Sequence, residues 1–270
     1  MKTAVRYLRM AGTYLKINIE RGLEYPAYLI GWVFANLFQV VFGIVTVWVV
    51  VSRFQPFDGW SFEQIAFLYG FGVISHGLSI VFFIQTWYMG YLVTEGEFDR
   101  MIVRPLNVFF QFCFFEFNFI GLTDLIPGII VFVYGCYAVN FDADLINILN
   151  LILALIGATA IRGGIFTITG ALAFWIQRTR AILSVNQTLL DYSNKYPMTI
   201  YPKAVQLIFT ILIPIGFVSY YPSAELLAVD TGFALPGNLC ALTFIAGIAV
   251  YAVGMLVFRV GLRRYESSGS

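Results

Sequence analysis

"QIAFLYGFGVISHGLSIVFFIQTWYMGYLVT", residues 64–94, runs for 31 residues without a charged side chain. As a helix it is roughly 46 Å long at the helical rise per residue. That exceeds the ~30 Å hydrocarbon core of a bilayer, so such a helix must tilt or project beyond it. The stretch is too long for a strand and does not alternate. Similar apolar runs recur at 26–52, 107–139, 145–176, 201–221 and 238–259. The chain is 60% hydrophobic and only 11% charged, with a mean hydropathy of +0.82. These features predict an all-α integral membrane protein whose single membrane domain, 26–260, holds six transmembrane helices. Aromatic residues gather near several span ends, as in interfacial belts.

Lys and Arg set the orientation. Of the 16 basic residues, all but Arg53 and Arg162 fall in the N-terminal segment, the loops after spans two and four, and the C-terminal end, which holds Arg259 and, in the tail 261–270, Arg263 and Arg264. The opposite loops, "NFDADLIN" (140–147) and "YYPSAELLAVDTGFALPGN" (220–238), hold acids and no bases. Both termini are therefore expected in the cytoplasm of a cell whose plasma or inner membrane the chain spans. Residues 1–24 lack the short apolar core and small-residue cleavage site of a secretory signal. Val5, Leu8, Gly12, Leu15 and Ile19 share one helical face, so 1–25 is expected to form an amphipathic helix at the cytoplasmic interface, a basic anchor, or both.

Several chemistries lack their residues. A net charge of +1 gives no basic field for nucleic acid. No GxxxxGK[ST] loop is present, and "GATAIRGG" (157–164) reads as close helix packing inside a span. Cys113, Cys136 and Cys240 have no metal-ligand spacing. The single histidine, His76, lies mid-span without a partner motif, so no hydrolytic machinery is expected.

Intramembrane charge is more informative. Arg162 lies near the middle of the fourth run, and Glu116 and Asp124 lie in the third. Such groups are costly in lipid and face a protein interior or a wet path. Asp124 and Arg162 are candidates either for a substrate path or for pairing two helices; proximity to the interface accounts for Glu116. Pro214, Pro222 and Pro236 mark the outer half, where Pro214 kinks span five and the following segment forms an outer re-entrant hairpin before span six.

One charged island interrupts the apolar chain: "EGEFDRMIVRPLN", residues 95–107, on the cytoplasmic side. Glu95, Glu97 and Asp99 suit the N-terminal end of a short helix, Arg100 and Arg104 share a face at i, i+4, and Pro105 ends it. Setting topology requires bases and does not require three acids beside them. "GEFDRMIVRPLN" resembles the cytoplasmic segment of ABC-2-type exporter permeases, the six-span membrane subunits of the daunorubicin-exporter-like group. "YPMTIYPKAVQLIFTILIPIGFVSYYPSAELL" (196–227) is similar to a second hallmark of that group, with Ser223 between Pro222 and Ala224 as a departure.

The resemblance implies a membrane subunit without its own cofactor, coupled to a separate cytoplasmic ABC ATPase that holds ATP and Mg. A second permease, a related chain or another copy, would complete the substrate path among membrane lipids. The coupling segment would be Glu95, Gly96, Glu97, Asp99, Arg100, Arg104 and Pro105. A helix over 177–195, with Arg178 and Arg180, would be a second cytoplasmic contact. The alternative from another class is an ATP-independent secondary transporter or lipid flippase, whose marks are further intramembrane ionisable groups and an inverted repeat.

Overall fold

The computed structural model describes residues 2–54, 59–115, 120–176, 179–233 and 235–265, and every regular element among them is helical. The long elements are α1 (Lys2–Leu23), α2 (Pro26–Phe54), α3 (Phe62–Phe83), α7 (Ile120–Ala138), α8 (Leu145–Ala171), α9 (Arg180–Lys195) and α12 (Leu239–Arg263). A 3₁₀ stretch, Ile84–Tyr88, joins α3 to α4 (Met89–Thr94); α5 (Glu97–Ile102) and α6 (Val108–Phe115) follow. Between α9 and α12 lie α10 (Lys203–Leu207), a π-helical turn (Ile208–Leu212), a 3₁₀ turn (Ile215–Val218) and α11 (Tyr220–Leu226). Helix starts follow from local chemistry. Ser61 and Gln64 form a reciprocal capping box on α3, and the side chains of Asp144 and Asn238 cap α8 and α12.

Among the described residues five helices are long and apolar enough to cross a membrane: Pro26–Arg53, Phe62–Thr94, Gly121–Ala138, Leu145–Phe174 and Leu239–Arg263. Four of the expected runs coincide with these. The run 107–139 divides into α6 and α7, and residues 116–119, with Glu116, lie outside the described residues. The run 201–221 is not a continuous helix, which corrects the expected fifth span. Pro214 has no N–H and cannot continue the ladder. The helix widens before it, Ile213 N–H donating to Ile208 O at 2.9 Å, and the chain then turns.

The route through this region follows from its contacts. Call the end of the bundle where α3, α8 and α12 begin the hairpin end, and the opposite end, where α1 and α5 gather, the tail end. α9 starts near the tail end, where Asn186 Nδ2 donates to Thr169 Oγ1 at 2.6 Å. It finishes with Asn194 packed against Gly72 of α3. Residues 196–202 then climb past the cluster containing Trp60, and Lys203 Nζ donates to Gly232 O at the hairpin end, 2.7 Å away. From there residues 203–212 turn back into the bundle, reverse at Ile213–Pro214, and return through α11. Thr210 and Tyr221 join the two arms by a hydroxyl pair at 2.5 Å. Glu225 then accepts from the Leu239 N–H at the start of α12, at 2.5 Å. The hairpin thus begins ten residues earlier than the sequence suggests and takes up the run 201–221, while α9 runs through the bundle from the tail end toward Gly72.

Two close helix pairs frame the bundle. In the pair α8–α12, a Cβ on Gly157 would fall 2.6 Å from the Thr243 carbonyl, and one on Gly247 2.5 Å from the Gly157 carbonyl. Only residues without side chains allow backbones that near. The pair α3–α7 meets the same way, with Gly121 against the Gly77 carbonyl.

Candidate functional site

Two places carry polar chemistry. At the tail end, Gly96 takes φ 69°, a left-handed conformation that suits glycine, and turns the chain into α5. Phe98 roots the helix: it is fully buried among Phe112, Phe174, Phe258 and Tyr265. Gln111 Nε2 donates to the Met101 carbonyl at 2.8 Å and holds the other end. Burial, together with the Asp99 carboxylate, pushes the Tyr265 phenol up, so the last described residue packs beside the same segment. Glu97 pairs with Arg100 at 3.1 Å.

The helix ends at Ile102, so Arg104 lies beyond it and the expected i, i+4 face of Arg100 and Arg104 does not form within α5. What projects is a short knob: Arg100, Ile102, Val103, Arg104 and Pro105 are exposed, Val103 to 80%. Glu95 is also exposed. The apolar Ile102 and Val103 escaped the sequence reading, which weighed only charge. Arg180 is exposed at the start of α9, and Arg178 lies outside the described residues. Of the helix expected over 177–195 the described part is α9, Arg180–Lys195, in which Leu183, Leu190, Ser193 and Asn194 are buried.

The second place is inside the bundle. Arg162 of α8 is 0% exposed. Its Nη2 donates to Asn194 Oδ1 at 2.9 Å, its Nε meets Ser75 Oγ at 3.3 Å, and its Nη1 lies 3.9 Å from Asp191 Oδ1. Gln187, one turn before Asp191 on α9, donates to both Asp191 oxygens at 3.1 and 3.0 Å. The same Gln187 nitrogen lies 3.2 Å from His76 Nδ1, and His76 Nε2 lies 3.5 Å from Asp124 Oδ2. Donation from Gln187 requires Nδ1 to accept, so the proton sits on Nε2, facing the carboxylate.

Asp124 and Arg162 therefore share one network without touching. Asp191, Gln187, Asn194, Ser75 and His76 complete it; the sequence reading left His76 without a partner and missed the other four. A usable signal was present. A buried arginine needs a carboxylate, and α9 places Gln187, Asp191 and Asn194 on one stripe. That stripe was read as cytoplasmic polarity. Of the prolines singled out, Pro214 sits at the hairpin tip, Pro222 is buried in the first turn of α11, and Pro236 is exposed two residues before the α12 cap. Cys113, Cys136 and Cys240 are free thiols.

Among the described residues the long apolar helices suited to crossing a membrane enclose a buried polar network and leave one charged knob at the tail end. The sequence model of the ABC-2 family transporter protein matches residues 36–269. The chain belongs to that family: it is a membrane-embedded permease of an ABC transporter, distinct from the ATPase. Neither a curated protein nor a solved structure matches the chain.

Proposed function

We propose that the chain is the permease subunit of an exporter in the plasma or inner membrane, coupled to a separate cytoplasmic ABC ATPase. It would cross the membrane six times, α2, α3, α7, α8, α9 and α12 being the crossings and both termini facing the cytoplasm. The basic residues of α1, α5 and the tail agree with that side, and Lys203 is displaced to the outer end by the hairpin. A second permease, a related chain or another copy, would supply the other wall of the path.

The observation that carries the ATPase assignment is the knob on α5. Exposed Ile102 and Val103 lie beside exposed Arg100 and Arg104, at the end of a helix whose other face is locked by Phe98. An apolar centre with a charged rim is the anatomy of a protein contact, and a rigid root lets movement of the partner pull on the bundle. The test is recovery of a soluble protein carrying a phosphate loop when the chain is purified from its native membrane in mild detergent. Val103→Asp with Arg100→Glu and Arg104→Glu should cut that recovery by about tenfold or more, with the permease level unchanged. Full recovery by the triple variant sinks the docking assignment. No ATPase even after crosslinking through 95–107 sinks coupling altogether and returns the reading to ATP-independent transport.

A further inference from the structure

α6 runs inward from the tail end and α12 runs out to it, and between them lies a groove of about 640 Å³. That volume is within the range of small-ligand sites, roughly 300–1,000 Å³. Phe109 and Phe258 meet edge-on at its floor, ring centroids 5.0 Å apart. Phe258 also packs on Phe98, so the floor belongs to the aromatic cluster that roots α5. Phe110, Phe114 and Met255 are half-buried along the walls. Among the described lining residues Arg259 alone is charged, and it is exposed.

Two markers set the depth of this groove. The rise along α12 from Leu239 to Arg259 is about 30 Å, the thickness of a hydrocarbon core. A span that enters at Leu239 therefore delivers Arg259 to the opposite headgroup level. α1 marks the same level. Its Tyr7 hydroxyl accepts from the Asn107 N–H at 3.1 Å, and its ring meets Phe110 edge-on at 4.7 Å. An amphipathic helix lies in the interface plane, so the Asn107 end of the groove faces headgroups and the Phe114 end faces acyl chains. Charge names the headgroup. Arg259 has no acidic partner among the described residues, whereas Arg100 has Glu97 and Arg162 has Asp191. Arg263, one turn on, shares its face and is exposed. An arginine at this level is costly unless an anion meets it, and a phosphate fits its fork. A zwitterionic lipid brings its own ammonium to the phosphate; an acidic one leaves the anion to the arginines. A second copy packed here by two-fold symmetry would set Arg259 near its own counterpart.

We infer that this groove is a site for one acidic glycerophospholipid, drawn from the leaflet at the tail end. Its phosphate sits between Arg259 and Arg263. One acyl chain lies over Phe109 and Phe258 toward Phe114 and Met255. The site lies within one copy of the chain and is separate from the network around Arg162. It goes beyond the permease reading and rests on it only for the membrane setting.

The experiment places the full chain, one copy per disc, in phosphatidylcholine nanodiscs that hold a trace of photoactivatable lipid. Two tracers carry the same diazirine acyl chain, one on phosphatidylglycerol and one on phosphatidylcholine. After illumination, peptide mass spectrometry reads the label on 106–114 and 255–262. Label on the exposed Phe38 and Phe42 of α2 serves as the bulk-lipid reference. Relative to that reference, the glycerol tracer should label the groove about fivefold more than the choline tracer. Arg259→Gln should erase the preference, and Arg259→Lys should keep most of it. Arg259 is exposed, so neither variant disturbs the core. Equal label from the two tracers makes the groove ordinary bilayer contact and overturns the site. A preference that survives Arg259→Gln overturns the headgroup seat, and the inference with it. So does a groove that takes no label. Label that is lost when discs hold two copies gives the groove to a second copy and overturns the lipid as occupant. Both leaflets of the disc are alike and no ATPase is present, so these failures leave the orientation and the ATPase contact untouched.

Discussion

α8 has two unlike faces. Toward α12 it is bare backbone: Gly157 and Gly164 meet Thr243, Gly247 and Gly254, and the helices touch without side chains between them. Toward α9 it presents Arg162 and Thr169, and contact is made by hydrogen bonds to Asn194, Asn186 and the Leu190 carbonyl. In lipid, apolar side chains give helices no reason to leave their solvent, so association needs close van der Waals approach or polar bonds. This bundle uses each device on a different side. The glycine face fixes a rigid pair. The polar face holds α9 through buried hydrogen bonds.

Breaking the polar side should cost most. Arg162→Ala leaves Asp191 without its cation and Asn194 without its donor, and the loss should be about 3 kcal/mol or more. Thermal unfolding of the purified chain in nanodiscs checks it. A variant as stable as wild type would mean that α9 is held by its apolar residues alone. The glycine face should fail less severely. Gly247→Val puts its side chain into the Gly157 carbonyl, and overpacking of this kind costs ~1–3 kcal/mol. The same melt should show it. Asn186→Ala removes one hydrogen bond to Thr169 near the tail end and should cost about 1 kcal/mol. If it costs more than Gly247→Val, the ranking of the two faces is reversed.

The same contrast explains what the sequence disclosed. Hydropathy found the five long apolar helices among the described residues, because apolar length is what hydropathy measures. It passed over α9, whose Asn186, Gln187, Asp191, Asn194 and Lys195 look like surface residues when nothing in the string says that Arg162 awaits them. It also over-read 203–221, where two short apolar arms divided by Ile213–Pro214 have the composition of one span. The proposed exchange of α9 for 201–221 would keep the number of passages even, and with it the expectation of both termini on one side; Lys195 and Lys203 are the residues whose side that exchange would affect. The charged island was legible as a separate feature. Its apolar tip was not, because Ile102 and Val103 become conspicuous only once Phe98 is seen to take the buried face.

Pro214 provides the finest test, because it asks whether the hairpin is local or tertiary in origin. Proline stops the incoming arm, yet the turn is also held from outside: Thr210 and Tyr221 join hydroxyls across it, and Ser219 Oγ donates to the Ser193 carbonyl of α9 at 2.9 Å. Pro214→Ala restores an N–H but leaves those ties in place, so the change should be below about 1 kcal/mol. Tyr221→Phe keeps the ring in its buried seat and removes one tie, at a cost of about 1 kcal/mol. Melting both variants side by side orders the two causes. A larger loss for Pro214→Ala would show that the arm continues as helix once proline is gone, and that the tertiary ties follow the turn instead of making it.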